Sequence, residues 1–372
     1  MKILIFSHEY PPKIGGAGIV AQEYAHCLSA AGHDITVLTQ LTEEDNLCSD
    51  SKIFHVVRVK AKNRFWFLSY RNAANFDLFD LIILNDVGAA YTAGLFFNRE
   101  LLSKCIILLH GSEPETVFLN PTLIRKLSLF KYTYSRALNK CKKIIAVSSF
   151  MKDKFLNYTG LFSLVNKIVV IHNFIDHKLF KPRIDNSFRS DIGLPDDAFL
   201  LVSVSRIVFG KGYLEKINLF ENLVNTFKKD IFWLIAGDGE DLEYFKNVVS
   251  DKKLTNRIVF LGAVPRNQLP RIYSNSNLFW LLSNYEESLG LVYIEAQACG
   301  CPALGWNSSG VREAIINNET GYLVNSEDEI IELFLLNNFK NIDIDNVMNF
   351  SSKFHSDKLV KFISDFIDKD DL

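Results

Sequence analysis

No stretch of the 372-residue chain approaches the eighteen or so consecutive apolar residues that cross a bilayer. The N-terminal MKILIFSHEYPP breaks after a few apolar residues, so no secretory leader is expected either. Cysteine is sparse: Cys27, Cys48, Cys105, Cys141, Cys299 and Cys301 lie far apart except for one C-x-C pair, and they fit neither a zinc spacing nor a disulfide framework. A cytosolic protein is expected, with docking on the cytoplasmic membrane face left open. Charge of one sign is not in excess, since 41 basic residues against 43 acidic leave −2, which gives no global attraction to nucleic acid. Low-complexity segments and exact internal repeats are absent too.

What is present is an ordinary globular composition, 48% hydrophobic and 23% charged, over a length that suggests two domains at about 150 residues each. The charge divides unevenly: residues 1–178 hold 21 basic and 15 acidic side chains, and residues 179–372 hold 20 and 28. That asymmetry points to two domains with different partners.

The hydrophobic pattern repeats one grammar. KILIF, a glycine-containing loop, a helical stretch with Val20, Tyr24, Cys27, Leu28 and Ala31 on one face, and DITVLTQ read as strand, loop, helix, strand. DLIILN before GAAYTAGLFF, CIILLH before a long helical stretch, KKIIAVSS before FMKDKFLNY, and KIVVIHN continue it. Residues 176–197 turn polar and proline-containing, as an interdomain linker would. A second series follows: FLLVSVSRI, IFWLIAGDG, RIVFLGAV, NLFWLLS, CPALGW and GYLVN. Buried apolar strands alternating with helices predict two tandem Rossmann-like, doubly wound α/β domains facing a cleft. The expected boundaries are 1–178, 179–345 and a C-terminal helical segment 346–372, carrying Phe354, Leu359, Phe362 and Phe366 and crossing back to the first domain. Ligands of such sheets bind beyond the carboxyl ends of the strands, so the informative residues should follow strands.

The strongest constellation is SNYEESLGLVYIEAQACGCPAL, residues 283–304. Glu287 ends a loop, Leu289-Gly290 opens a helix, and Glu295 lies inside it among Leu291, Val292, Ile294, Ala296, Ala298 and Cys299. An ionised carboxylate in that setting costs several kcal/mol unless it is paired. A vicinal diol is one candidate partner, because a carboxylate accepts from two hydroxyls at once. Glu287, beside the amides of a helix start, would be placed for sugar hydroxyls while those amides hold an anion. Arg206 and Lys211 stand in an R-x4-K spacing just after a strand.

These residues resemble family four of the retaining glycosyltransferases, also called glycosyl transferases group 1, whose architecture is the two-Rossmann GT-B fold. E-S-L-G-L-V-Y-I-E is similar to its E-x7-E signature, VSRIVFGKG to its strand-end arginine and loop lysine, and AGDGED to its A-G-x-G segment. HNFIDHKLFKP, SSGVREAI and GYLV match further segments in the family's order, so the resemblance covers most of the chain. Phe174 replaces the usual glycine, and Ser288-Leu289 replace the usual Gly-Phe in the loop that would line the sugar.

The resemblance implies a metal-independent, retaining hexosyltransferase with no cofactor and a nucleotide-diphosphate sugar as donor. Glu287, His110, Arg206 and Lys211 would be catalytic. Glu295, Ser288, Leu289, Gly290, Leu291, Gly237 and Gly16 would bind the donor. The first domain would take a saccharide acceptor, lipid-linked in the synthesis of cell-surface polysaccharide or lipopolysaccharide.

Rival readings are a sugar-nucleotide epimerase on the same fold and a catalytically silent sugar-binding protein. Dinucleotide binding at Gly15-Gly16-Ala17-Gly18 is disfavoured by the long, proline-interrupted loop and by a second strand that ends without a ribose-binding acid. Asp343-Ile344-Asp345 has the form of a metal-binding D-x-D pair but lies beyond the second strand series, and reads as a solvated turn.

Between Arg125 and Lys143 there are seven basic residues and no acid, with Leu127, Phe130, Tyr134, Ala137 and Cys141 on one prospective helical face. KAKNRFWFLSYR (60–71) adds four basic residues and the aromatics Phe65, Trp66 and Phe67. The combination suits an anionic membrane surface better than nucleic acid, for which no recognition module is present.

Overall fold

The computed structural model describes residues 1–12, 15–42, 53–61, 65–227, 230–336, 339 and 342–365. The chain folds as two compact units, Met1–Asn173 with Ser356–Leu372, and Phe174–His355.

The first unit is built on a parallel sheet of seven strands: β1 (Lys2–Phe6), β2 (Asp34–Gln40), β3 (His55–Val59), β4 (Leu81–Leu84), β5 (Cys105–Leu109), β6 (Lys143–Ala146) and β7 (Ile168–Val170), in the order β3-β2-β1-β4-β5-β6-β7. The apolar runs become strands because both faces are covered. Leu4 and Phe6 join a core with Leu38, Ile82, Leu84, Ile107 and Leu109, while Ile3 and Ile5 are equally buried on the opposite side. β3 is the strand the sequence did not announce; it is a half-buried edge strand without a long apolar run.

The second unit carries six parallel strands: β8 (Phe199–Val204), β9 (Ile231–Ala236), β10 (Ile258–Gly262), β11 (Leu278–Leu281), β12 (Ala303–Trp306) and β13 (Gly321–Val324), ordered β10-β9-β8-β11-β12-β13. Leu200, Val202, Leu234, Phe279 and Leu281 feed one core, and Phe199, Leu201, Trp233, Ile235, Leu278 and Trp280 feed another. This period-two division of the same strands is the mark of a sheet sandwiched between two helical layers.

Three expectations change. Residues 176–197 are no linker: Phe180, Phe188 and Leu194 are buried in the second unit's core, and Arg271 bonds to both Asp185 and Asp191. The helix Ile344–Ser351 also belongs to the second unit, packing Val347 and Phe350 inward, so the return to the first unit begins at Ser356. The long helical stretch after β5 is three pieces, Pro114–Leu119, Leu123–Leu127 and Phe130–Lys140, the last two separated by Leu129 in the left-handed region (φ 52°). Among the described residues no helix is long and apolar enough to cross a membrane. Cys27, Cys105, Cys141, Cys299 and Cys301 are free thiols; Cys48 and Phe366 lie outside the described residues.

Candidate active site

The strand order of the second sheet reverses between β8 and β11, so the loops leaving these two strands diverge and leave room between them. Arg206 and Lys211 lie in the loop after β8 and Glu287 in the loop after β11. Lys211 Nζ donates to Glu287 Oε1 at 2.5 Å, with both side chains only 15% exposed. The sequence placed these two residues in separate roles; the structure joins them. Withdrawn from bulk water, the pair attracts more strongly than a surface ion pair and fixes the spacing of the two loops. The amides of Asn284 and Tyr285 reinforce this by donating to the Gly210 carbonyl, and Asp241 accepts from the Phe209 amide at 2.8 Å. Arg206 is exposed, and its guanidinium has no hydrogen bond or ion pair among the described residues. One cation of R-x4-K is therefore engaged, and the other is open to an anion.

The helix Leu291–Ala298 starts from Gly290, whose φ of 80° favours glycine and which lies so close to the Tyr293 ring that a Cβ would sit 2.6 Å from it. Glu295 is 5% exposed within this helix, and its partner is Arg266, donating Nη2 to Oε1 at 3.1 Å. Arg266 opens a short turn after β10 and lies over the Phe180 ring, 5.0 Å from its centroid. The partner that burial demands of Glu295 is thus supplied within the chain, and sequence spacing gave no sign of it. Leu289 turns its side chain into the core at 2% exposed, so its side chain is not available to a ligand; Ser288, Gly290 and Leu291 stay partly exposed around it. Gly237 follows β9 with φ 153°, where a Cβ would collide with the Ser205 carbonyl.

Beneath these loops lies a residue that the sequence did not single out. Lys216, in the helix Tyr213–Thr226, is fully buried, and its Nζ has no hydrogen-bond partner among the described residues. It sits 3.9 Å from the Tyr213 ring centroid and 5.3 Å from that of Trp233. Burial drives its ammonium well below the usual lysine range, and the charge of Lys211 adds to this while Glu215 and Glu287 oppose it. The signal was its phase, because Lys216 shares a helical face with the buried Tyr213 and Phe220.

In the first unit the corresponding reversal falls between β1 and β4. His110 follows β5, and its Nε2 lies 3.2 Å from Asn85 Oδ1, at the end of β4. Asn85 is fully buried and donates to Ser7 Oγ and the Ala17 carbonyl. Glu113 accepts from the amides of His110 and Gly111, each at 2.7 Å. Neither Asn85 nor Glu113 was singled out in the sequence. Gly16 opens the helix Gly16–Ala30, but that helix start already faces a carboxylate, since the Gly18 amide donates to Glu9 Oε1 at 3.4 Å. Asp343 of the D-x-D pair accepts from the Asp345 amide and caps the helix Ile344–Ser351.

The basic and aromatic runs of the first unit also resolve. Phe130, Tyr134, Ala137 and Cys141 are buried, whereas Leu127 faces outward, 73% exposed. Arg136 is not part of a solvated basic face: it donates to the carbonyls of Gly94 and Phe97. Lys126, Lys131 and Lys140 are exposed. Of the three aromatics, Phe65 is exposed while Trp66 and Phe67 pack partly against the core. Lys62 and Arg64 lie outside the described residues.

Two family models match successive parts of the chain: Glycosyltransferase Family 4 over residues 14–179, and Glycosyl transferases group 1 over residues 185–336. N-acetyl-alpha-D-glucosaminyl L-malate synthase of Bacillus anthracis is 26% identical over 326 residues, covering 84% of this chain and 81% of that protein. Alpha-monoglucosyldiacylglycerol synthase of Streptococcus pneumoniae is 22% identical, covering 89% and 76% respectively. The solved structure of Anabaena HepE in complex with UDP and glucose is similar with a TM-score of 0.80 and 18% identity, over 99% of this chain and 100% of that one. This last likeness carries the fold, which is of the GT-B class.

Proposed function

The chain belongs to the group 1 glycosyltransferases, and from that premise we propose that it transfers a sugar, with retention and without a metal, from a nucleotide-diphosphate sugar to a lipid-linked saccharide. Cell-surface polysaccharide or lipopolysaccharide synthesis is the assigned setting. The observation that carries the reading is the meeting of Lys211 and Glu287 at the winding reversal of the second sheet, with Arg206 open beside them in sequence.

In this scheme the bond from the anomeric carbon to the diphosphate oxygen breaks, and Arg206 and Lys211 stabilise the charge that develops on the leaving group. The acceptor hydroxyl attacks from the face the diphosphate leaves, through an oxocarbenium-like transition state, and its proton passes to the departing phosphate oxygen. Glu287 orients the sugar, and Glu295, held by Arg266, receives ribose hydroxyls. Gly237, Gly290 and the partly exposed backbone of residues 288–291 complete donor binding. His110 and Gly16 are assigned by family resemblance to the donor sugar and its diphosphate. The names of the relatives support a nucleotide sugar and, for the pneumococcal protein, a diacylglycerol product.

Incubation with a panel of nucleotide sugars, with and without a lipid extract, tests the reading. The expected result is nucleoside diphosphate release that depends on the extract. Interconversion of the sugar without any acceptor would indicate an epimerase, and binding without turnover a silent sugar-binding protein.

The exposed basic side chains Lys126, Lys131 and Lys140 further support docking on an anionic bilayer, where each is worth about 1 kcal/mol. Sedimentation with anionic vesicles should fall steeply with added salt and on reversing these three charges. Absence of sedimentation at low salt would instead favour a soluble acceptor.

A further inference from the structure

The first unit contains a cavity of about 550 Å³ lined by His8, Phe65, Trp66, Gly88, Tyr91, Ile124, Arg125 and Leu127 among others. Its volume falls in the ~300–1,000 Å³ range of small-ligand sites. Its two ends differ. At one end His8 follows β1, and Val87 and Gly88 follow β4, so the cavity reaches the winding reversal of the sheet, where ligands of such sheets are held. His8 there is tied to Tyr70 through Nδ1 and to Asp86 through its amide. At the other end are Ile124 and Leu127, 63% and 73% exposed, flanked in sequence by the exposed Leu119, Leu123 and Leu129.

So many large apolar side chains exposed within one short segment are unusual on a soluble surface unless something covers them. The break at Leu129 produces the arrangement. On one continuous helix Leu127 and Phe130 would share a face, whereas here Phe130 is buried and stacks on Tyr91 at 4.0 Å while Leu127 points out. The wall is aromatic and aliphatic, and its charge is positive. Arg125 spends one N–H on the Thr116 carbonyl at 3.0 Å, which leaves further donors on its fork, and Lys126 beside it is exposed.

We propose that this cavity receives the alkyl or isoprenoid chain of an amphipathic acceptor whose headgroup carries a phosphate. The chain enters past Ile124 and Leu127, Arg125 and Lys126 meet the anionic phosphate, and the saccharide is held toward the strand ends at His8. The assignment rests on the proposed transfer to a lipid-linked saccharide and names the part of that acceptor the first unit grips.

Trp66 lines the cavity and is the first unit's single tryptophan, Trp233, Trp280 and Trp306 being in the second. The probe is 12-bromododecyl phosphate below its micellar threshold, whose bromine quenches a tryptophan it touches. Saturable quenching is expected, absent in Trp66→Phe. Ile124→Glu/Leu127→Glu, placed at exposed positions that folding tolerates, should weaken it at least tenfold. An eight-carbon analogue should bind roughly two-hundredfold more weakly, at about fourfold for each of the four methylenes removed. The neutral 12-bromododecanol should bind severalfold more weakly than the phosphate. Quenching that does not saturate, or that survives both Trp66→Phe and the double glutamate variant, overturns the proposal. If quenching fails while nucleoside diphosphate release still depends on lipid extract, the cavity assignment falls and lipid glycosylation stands. If quenching holds while no lipid is glycosylated, the cavity assignment stands and the transfer reading falls.

Discussion

Lys211 and Glu287, 76 residues apart, share a hydrogen-bonded ion pair that bridges the loops after β8 and β11. Each limits the other: the lysine cannot give its full charge to a diphosphate while the carboxylate holds it, and the carboxylate cannot turn to a sugar without leaving the lysine. The two should therefore behave as one unit in kinetics. Lys211→Ala and Glu287→Ala are each expected to lower kcat by about a hundredfold or more, and the double variant to cost little beyond either single one. A double-mutant cycle measures this, with a coupling of about 1–3 kcal/mol. Simple additivity would show that the pair belongs to the unliganded protein alone and plays no joint role in turnover.

Arg206 is the cation left open, so its removal should act on turnover. Arg206→Ala is expected to lower kcat more than donor affinity, because the charge it meets grows as the bond breaks. A rise in KM alone would mean that it binds the ground state uniformly.

With Arg206 and Lys211 supplying positive charge, turnover should survive excess EDTA. Loss on chelation and recovery with manganese would show that the leaving-group site needs a metal and would remove the role given to the two cations.

Glu295 and Arg266 separate binding from stability. Glu295→Gln should weaken nucleoside diphosphate binding by roughly tenfold, through charged hydrogen bonds worth about 1.5–3 kcal/mol each, with a small effect on the melting temperature. Arg266→Ala leaves a buried carboxylate without its guanidinium and should destabilise the fold by about 3–5 kcal/mol. Calorimetric titration and thermal unfolding on the same samples check both. Unchanged affinity in Glu295→Gln would return that residue to a purely structural role.

Lys216 makes stability depend on pH in a definite direction. Its pKa in the folded protein lies below the unfolded value, so between the two the unfolded chain holds more protons and stability rises with pH. Lys216→Met keeps the volume and removes the titration. The variant should exceed the parent by about 1–3 kcal/mol at neutral pH, and the difference should shrink toward pH 10. Urea midpoints at several pH values test it, and a constant difference would mean that the amine does not titrate in the window.

The strands were legible in the sequence wherever burial on both faces forces a continuous apolar run: KILIF and DITVLTQ are β1 and β2 residue for residue. HVVRV was not, because an edge strand is only half-buried and its pattern is short. The site was legible as residue types at strand ends, and Glu287, Lys211 and Arg206 all fall at the winding reversal. The partnerships were not legible. Arg266 stands in a polar turn, PRNQ, with no periodicity to orient it toward Glu295, and Glu113 reaches back to two amides through a loop geometry that spacing does not encode. Basic residues were the least readable, since the same run held a surface lysine at 131 and an arginine at 136 spent on two backbone carbonyls.

Leu129 is a branched side chain in a backbone conformation that costs a non-glycine residue roughly 1–2 kcal/mol. A sequence shaped by stability alone would place glycine or asparagine there, or run the two helices together and bury Leu127 behind Phe130. The chain does neither. Conformational tension is kept at a joint that turns Leu127 toward solvent beside the buried Phe130. A chain that hid such residues would be easier to fold, and it would lack the apolar mouth that the proposed lipid acceptor requires.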